Sequence, residues 1–207
     1  MLQKKLRELG ILVVQDPTSC THLAAPAMVR TQKFLCALAA GPTIVSSDFI
    51  DACISDGAMP LINDFLLKDK DNERRFNMKL KDIVARAKAN KRQLLRGIPI
   101  YCTAEIPNGS DTHKAIVEAN GGVFSIYRAR GGSTIKPTNP ESDEESDPEP
   151  VYLITGQRPE ERRLWPKFKE MAKAGHMEPR IVHSEWLLDV AMSQQLRCGD
   201  TYLAVND

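Results

Sequence analysis

The sequence predicts an α/β protein of two small parallel-sheet units, each flanked by helices, packed in tandem through a linker helix. Three observations carry this. Short apolar runs suited to strands alternate with helical patterns in both halves, which implies small parallel sheets covered on both faces. The segment Ile44-Val45-Ser46-Ser47-Asp48-Phe49-Ile50 is echoed by Ile181-Val182-His183-Ser184-Glu185-Trp186-Leu187, so one strand–cap–helix theme occurs twice. Between them, residues 68–96 are dense in charge and carry one helical stripe. The predicted organisation is therefore a first unit over 1–67, a linker over 68–96 and a second unit over 97–207.

In the first unit, Leu2, Leu6 and Leu9 recur at helical spacing and Gly10 stops the run. Ile11-Leu12-Val13-Val14 reads as a buried strand. Thr21 to Ala25 is a weaker strand. A helix over about Arg30–Ala40 turns Phe34, Leu35 and Leu38 inward and ends at Gly41. Thr43 to Ser46 is a strand. Ser47 can cap the helix that follows, which carries Phe49, Ile50, Cys53 and Ile54. In the linker, Leu80, Ile83, Val84 and Ala87 form an apolar stripe that must pack on something.

The second unit opens with a strand, Ile98 to Cys102, and a helix over about Asp111–Ala119 that ends at Gly121-Gly122. Val123–Tyr127 and Val151–Ile154 are strands. A helix over about 159–174 carries Leu164, Trp165, Phe168 and Met171. Arg180 to His183 leads into a last helix with Trp186, Leu187 and Val190. Between two of these strands, residues 131–150 are rich in Pro, Gly, Ser and acid, the composition of a disordered insertion. Ser142 and Ser146, each followed by acids, also fit an acid-directed kinase, although a solvated loop is the simpler reading.

A net charge of +1 on 207 residues argues against bulk nucleic-acid binding. The cations of the linker, among them Arg74, Arg75, Lys81 and Lys88, are interleaved with acids and read as a solvated helix face. No apolar run is long enough to span a membrane. The five cysteines are scattered without a CxxC pair and read as reduced, mostly buried thiols. The four histidines show no metal-ligand spacing. No nucleophile elbow, zinc-protease helix, P-loop or dinucleotide fingerprint is present, and Asp48 and Glu185 merely follow cap positions. Neither an enzyme nor a cofactor is expected.

One pair of side chains stands out. Arg30 and Lys33 are three apart at the start of a helix, so they share a face beside its free N–H groups. Two cations there oppose the helix dipole, unless an anion such as phosphate binds between them. The alternative is that both long side chains point into solvent.

The whole pattern resembles a tandem pair of BRCT repeats. The marks are the aromatic in each last helix (Phe49, Trp186), the Gly121-Gly122 turn, and Leu94-Leu95-Arg96-Gly97 after the linker helix. Val29-Arg30-Thr31-Gln32-Lys33-Phe34-Leu35-Cys36-Ala37-Leu38 resembles the phosphate-site helix of pairs that read phosphoserine, most of all in fungal multi-BRCT DNA-damage scaffolds. The resemblance implies a nuclear scaffold module whose partners are a phosphorylated protein or histone tail and other DNA-repair proteins, with no membrane and no direct DNA contact. It implies Lys33 and Thr31 on the phosphate. Arg30 would hold the peptide further along, with Leu35, Asn108 and Ser184 beside it, although Leu35 is equally a core residue and Ser184 an N-cap. A phosphate-independent interaction module is the competing implication.

One departure is visible. The second repeat begins with the strand Ile98–Cys102, whereas the first begins in its helix. The family places an interior strand there, ending in a Ser or Thr and a Gly that complete the phosphate pocket. The first repeat is therefore expected to lack its first strand. Either the sequence is a shortened form of a longer protein, or a strand arrives from another chain.

Overall fold

A computed structural model describes residues 2–107, 109–129, 134–137 and 147–204. The chain divides into two compact units, Met1–Arg92 with Met192–Gln194, and Gln93–Ala191 with Gln195–Asp207. The charged segment up to Arg92 thus belongs with the first unit. Most of the predicted insertion, with Ser142 and Ser146, lies outside the described residues.

The first unit runs α1 (Leu2–Glu8), β1 (His22–Ala25), α2 (Gln32–Ala39), β2 (Thr43–Ser46), α3 (Asp48–Asp56), α4 (Lys70–Arg75) and α5 (Leu80–Asn90). β1 and β2 are parallel, with His22 opposite Thr43 and Ala25 opposite Ser46. Leu6 of α1 packs with Val45, Phe49 and Cys53, and Leu9 of the same stripe packs against this cluster while Leu2 stays exposed. Phe49 meets the edge of Phe65 with ring centroids 5.7 Å apart. Leu80, Ile83 and Ala87 of α5 are buried, as an amphipathic stripe requires.

In the second unit, β3 (Pro99–Cys102), α6 (Ser110–Ala119), β4 (Val123–Ile126), β5 (Glu149–Thr155), α7 (Pro159–Arg162), α8 (Trp165–Ala174), β6 (Met177–His183) and α9 (Ser184–Ser193) follow in order. The four strands are all parallel, in the order β4-β3-β5-β6. Alternation along β5 covers both faces. Val151 and Leu153 pack with Phe168 and Met171 of α8, while Tyr152 turns the other way and stacks on Trp186 of α9 at 4.2 Å. The Trp186 indole N–H donates to the Arg197 carbonyl at 2.7 Å, which satisfies the one polar atom of a fully buried ring.

Three expectations need correction. Ile11–Val14 is not a strand: Leu12, Val13 and Val14 are exposed. The reason is visible in the second unit, where the strand after the first helix, β4, is held by β3. Among the described residues the first unit has no strand to hold such a partner, since its sheet is β1-β2 alone. The helix expected over 159–174 is two helices, because Pro166 supplies no N–H to continue the ladder and starts α8 afresh. Ser47 has helical backbone angles, and its hydroxyl makes no capping hydrogen bond.

Candidate functional site

The site expected from sequence centres on the N-terminus of α2. That helix starts because Thr31 is extended, with φ −79° and ψ 153°, and its hydroxyl oxygen accepts from the Phe34 amide at 3.4 Å. The Thr31 carbonyl then accepts the first helical bond, from the Leu35 amide at 3.0 Å. Phe34 to Ala39 are all buried, which fixes the axis of the helix and the direction of its first turn. Thr31 and Lys33 are exposed, and Arg30 is half-buried.

The first turn contains no acid. Its positive end and the Lys33 ammonium therefore add, with no acid in that turn to offset them. Neither the Lys33 amide nor its ammonium finds a partner among the described residues. Two donors of different kinds thus face solvent at one corner, the arrangement that an anion stabilises.

The approach to this corner is braced from a distance. The Asp69 carboxylate accepts from the Met28 amide at 2.7 Å and from the Asn72 side chain at 2.8 Å. It also caps α4 through the Asn72 amide at 3.2 Å. Burial pulls this carboxyl up, but the donors from Asn72 and Met28 pull it further down, so it lies below its ordinary value and stays ionised. Asp69 therefore pins the chain two residues before Arg30. The Asx cap ahead of α4 is legible in sequence; the tie to Met28 is not.

The remaining expected residues fall elsewhere. Leu35 has no exposed surface and offers a peptide nothing; it is a core side chain of α2. Ser184 is the first residue of α9 in the second unit and is half-buried. Asn108 lies outside the described residues.

The second unit treats its corresponding corner differently. By the internal repeat, β5-α7-α8-β6-α9 matches β1-α2-β2-α3. There Glu161, in the first turn of α7 and 1% exposed, supplies its own carboxylate. It accepts from the Thr103 hydroxyl at 2.5 Å, the Gly156 amide at 2.8 Å and the Arg158 amide at 3.3 Å. A built-in anion thus fills the second unit's corner, where the first presents Thr31 and Lys33.

Among the described residues no group of three His, Cys, Asp or Glu is placed to hold a metal. No described helix is long and apolar enough to cross a membrane. Burial pushes the Cys36 thiol up to about 11 and the Cys102 thiol up to about 12, so neither is a ready nucleophile.

Comparison with known proteins bears on this geometry. Residues 2–67 match the family described as the Regulator of Ty1 transposition protein 107 BRCT domain. BRCT-containing protein 1 of Schizosaccharomyces pombe is 28% identical over 200 residues, covering 94% of this chain and 22% of that protein. The DNA damage response protein Mdb1 of the same organism is 31% identical over 150 residues, covering 68% of this chain and 23% of that protein. The chain thus spans less than a quarter of either relative. Among solved structures, the BRCT5-BRCT6 domains of S. pombe Brc1 superimpose with a TM-score of 0.72 at 25% identity, covering 96% of this chain and 92% of that one. The complex of Rtt107p with a phosphorylated histone gives 0.68 at 18% identity, covering 99% and 85%, and shows the shared fold.

Proposed function

We propose that this chain, a tandem pair of BRCT repeats similar to those of DNA-damage scaffolds, binds a phosphoserine peptide at the N-terminus of α2. The observation that carries the proposal is the exposed Lys33 beside the Thr31-capped helix start, with no acid in that turn. In this reading the Lys33 ammonium and the first-turn amides hold the phosphate, the Thr31 hydroxyl donates its proton to it, and Arg30 holds the peptide further along. A phosphorylated histone C-terminal tail fits as ligand, because a solved relative of the same fold is a complex with a phosphorylated histone. The module would then act in the nucleus as a scaffold for repair proteins, by binding and not by catalysis.

One observation favours a second reading. β1 has a partner on one side only among the described residues, and Leu12–Val14 lie exposed. A repeat with an open sheet edge can hold a partner through strand addition, independently of phosphate.

Fluorescence anisotropy with a labelled phosphoserine peptide and its unphosphorylated twin separates the two. Phosphopeptide reading predicts a preference of at least about tenfold. Equal affinities would reject it in favour of phosphate-independent binding. Comparing free-acid and amidated peptides then tests the tail reading, which predicts preference for the free acid and is contradicted by indifference.

A further inference from the structure

The first unit carries a second candidate binding feature, which shares with the α2 corner only the bracing residue Asp69. A groove of about 500 Å³ opens between the segment after α3 and the helix α5. Its floor is apolar, formed by Ile44, Leu66 and Val84. Leu66 lies antiparallel to Val45, and the Leu67 amide donates to the Ile44 carbonyl at 3.0 Å, so that wall is held by backbone pairing to β2. The other wall is α5, whose Lys81, Val84 and Lys88 fall on one side by helical spacing. α5 is docked closely here. A side chain at Gly41, where φ is +67°, would come within 2.8 Å of the Lys88 side chain and 2.9 Å of its backbone nitrogen.

Four cations line this groove, Lys68, Lys70, Lys81 and Lys88, all exposed. None has an ion-pair partner among the described residues. Two acids also line it, but both are turned to internal donors. Asp69 accepts from Met28 and Asn72, and Glu73 accepts from the Leu80 amide at 2.8 Å and faces Lys79 at 3.6 Å. The groove thus combines a positive rim with an apolar floor.

We infer that this groove docks an acidic peptide, with an apolar side chain seated on the Ile44–Leu66–Val84 floor and flanking carboxylates on the four lysines. Charge complementarity names the sign of the partner. The concave apolar floor names its kind, since a nucleic-acid backbone brings charge but nothing to fill such a floor. The site uses neither Arg30 nor Lys33 and needs no phosphate, so it stands or falls separately from the function proposed above.

The test uses the full chain and labelled ten-residue peptides that contain no phosphate. One carries a leucine between two blocks of aspartate and glutamate. Another has serine in place of that leucine, and a labelled DNA duplex is the third probe. Saturable binding of the leucine peptide is expected, weaker for the serine peptide. Paired Lys81→Glu and Lys88→Glu changes should weaken binding by roughly tenfold, and the milder Lys81→Gln with Lys88→Gln by less. Circular dichroism checks that each variant folds. No saturable binding, equal binding of the leucine and serine peptides, indifference to either lysine pair, or tighter binding of the duplex through the same lysines would each overturn the inference.

Discussion

The Thr103 hydroxyl and the Glu161 carboxylate, both buried, meet at 2.5 Å and close a corner of the second repeat. Gly156 and Arg158 add their amides to the same carboxylate. The first repeat has no such acid at α2, and its first turn offers Lys33 to solvent. One repeat therefore fills this corner with its own carboxylate, and the other has no acid in the first turn of its helix. This asymmetry supports the proposal that the first repeat is the one that reads phosphate.

Glu161→Gln should destabilise the second repeat by about 1.5–3 kcal/mol, since it weakens charge-assisted bonds from buried donors. Gly156→Ala should act in the same direction, because a methyl group there collides with the Glu161 carboxylate. Urea unfolding followed by tryptophan fluorescence is the measurement. Trp165 and Trp186, the two tryptophans of the chain, both lie in the second unit and report on it. Unchanged midpoints would mean that the network contributes nothing net.

Thr31→Ala should cost the first repeat about 1 kcal/mol through loss of the α2 cap, and Thr31→Ser should recover most of it. Tryptophan fluorescence does not see this unit directly, so far-ultraviolet circular dichroism is the readout. A Thr31→Ala variant as stable as the parent would show that the hydroxyl is not needed to start the helix.

The second repeat should lose stability as pH falls below about 6.5. His113 is buried, its Nδ1 lies 2.9 Å from the Gly109 carbonyl, and desolvation holds its pKa below the ordinary 6.5. The unfolded chain therefore takes up a proton at a pH where the folded chain does not, and the added proton favours unfolding. The loss begins near the unfolded value and grows until the lower folded value is reached. Urea midpoints from pH 7.5 to 5, compared with those of His113→Gln, test this. The substitution should flatten the dependence; an identical slope would assign it to other groups.

Cys36, Cys53 and Cys102 are buried, while Cys20 and Cys198 are partly exposed. Under native conditions a maleimide at neutral pH should label Cys20 and Cys198 first, leaving the other three until the chain unfolds. Early labelling of Cys36 or Cys102, whose thiols burial pushes up to about 11 and about 12, would contradict the packing described.

Local signals carried much of the fold. Thr43–Ser46 is a strand with the residues expected, and the stripe Leu80, Ile83, Ala87 is buried on α5 as its spacing demands. What local pattern could not supply was the neighbour. Ile11–Val14 has the composition of a buried strand, but exposure follows from what lies beside it, and no described strand of this unit does. Leu35 shows the same limit within the site. Spacing placed it on the inward face with Phe34 and Leu38, while resemblance placed it toward a peptide; the packing of α2 buries it completely. Pro166, by contrast, was a legible break that the aromatic spacing of the region masked.

Lys33→Met should weaken phosphoserine-peptide binding by roughly ten- to a hundredfold while leaving thermal stability unchanged, because it removes one charge-assisted bond from an exposed position. An equal loss for the unphosphorylated peptide would mean that Lys33 contacts the peptide and not its phosphate.

The most direct test of the phosphate site is amide chemical-shift mapping on isotopically labelled chain titrated with a phosphoserine peptide and, separately, its unphosphorylated form. The account predicts that the amides of Gln32, Lys33 and Phe34 shift strongly with the phosphopeptide and little with its twin. If the phosphopeptide leaves those three amides in place, or both peptides move them equally, the N-terminus of α2 is not where phosphate is read.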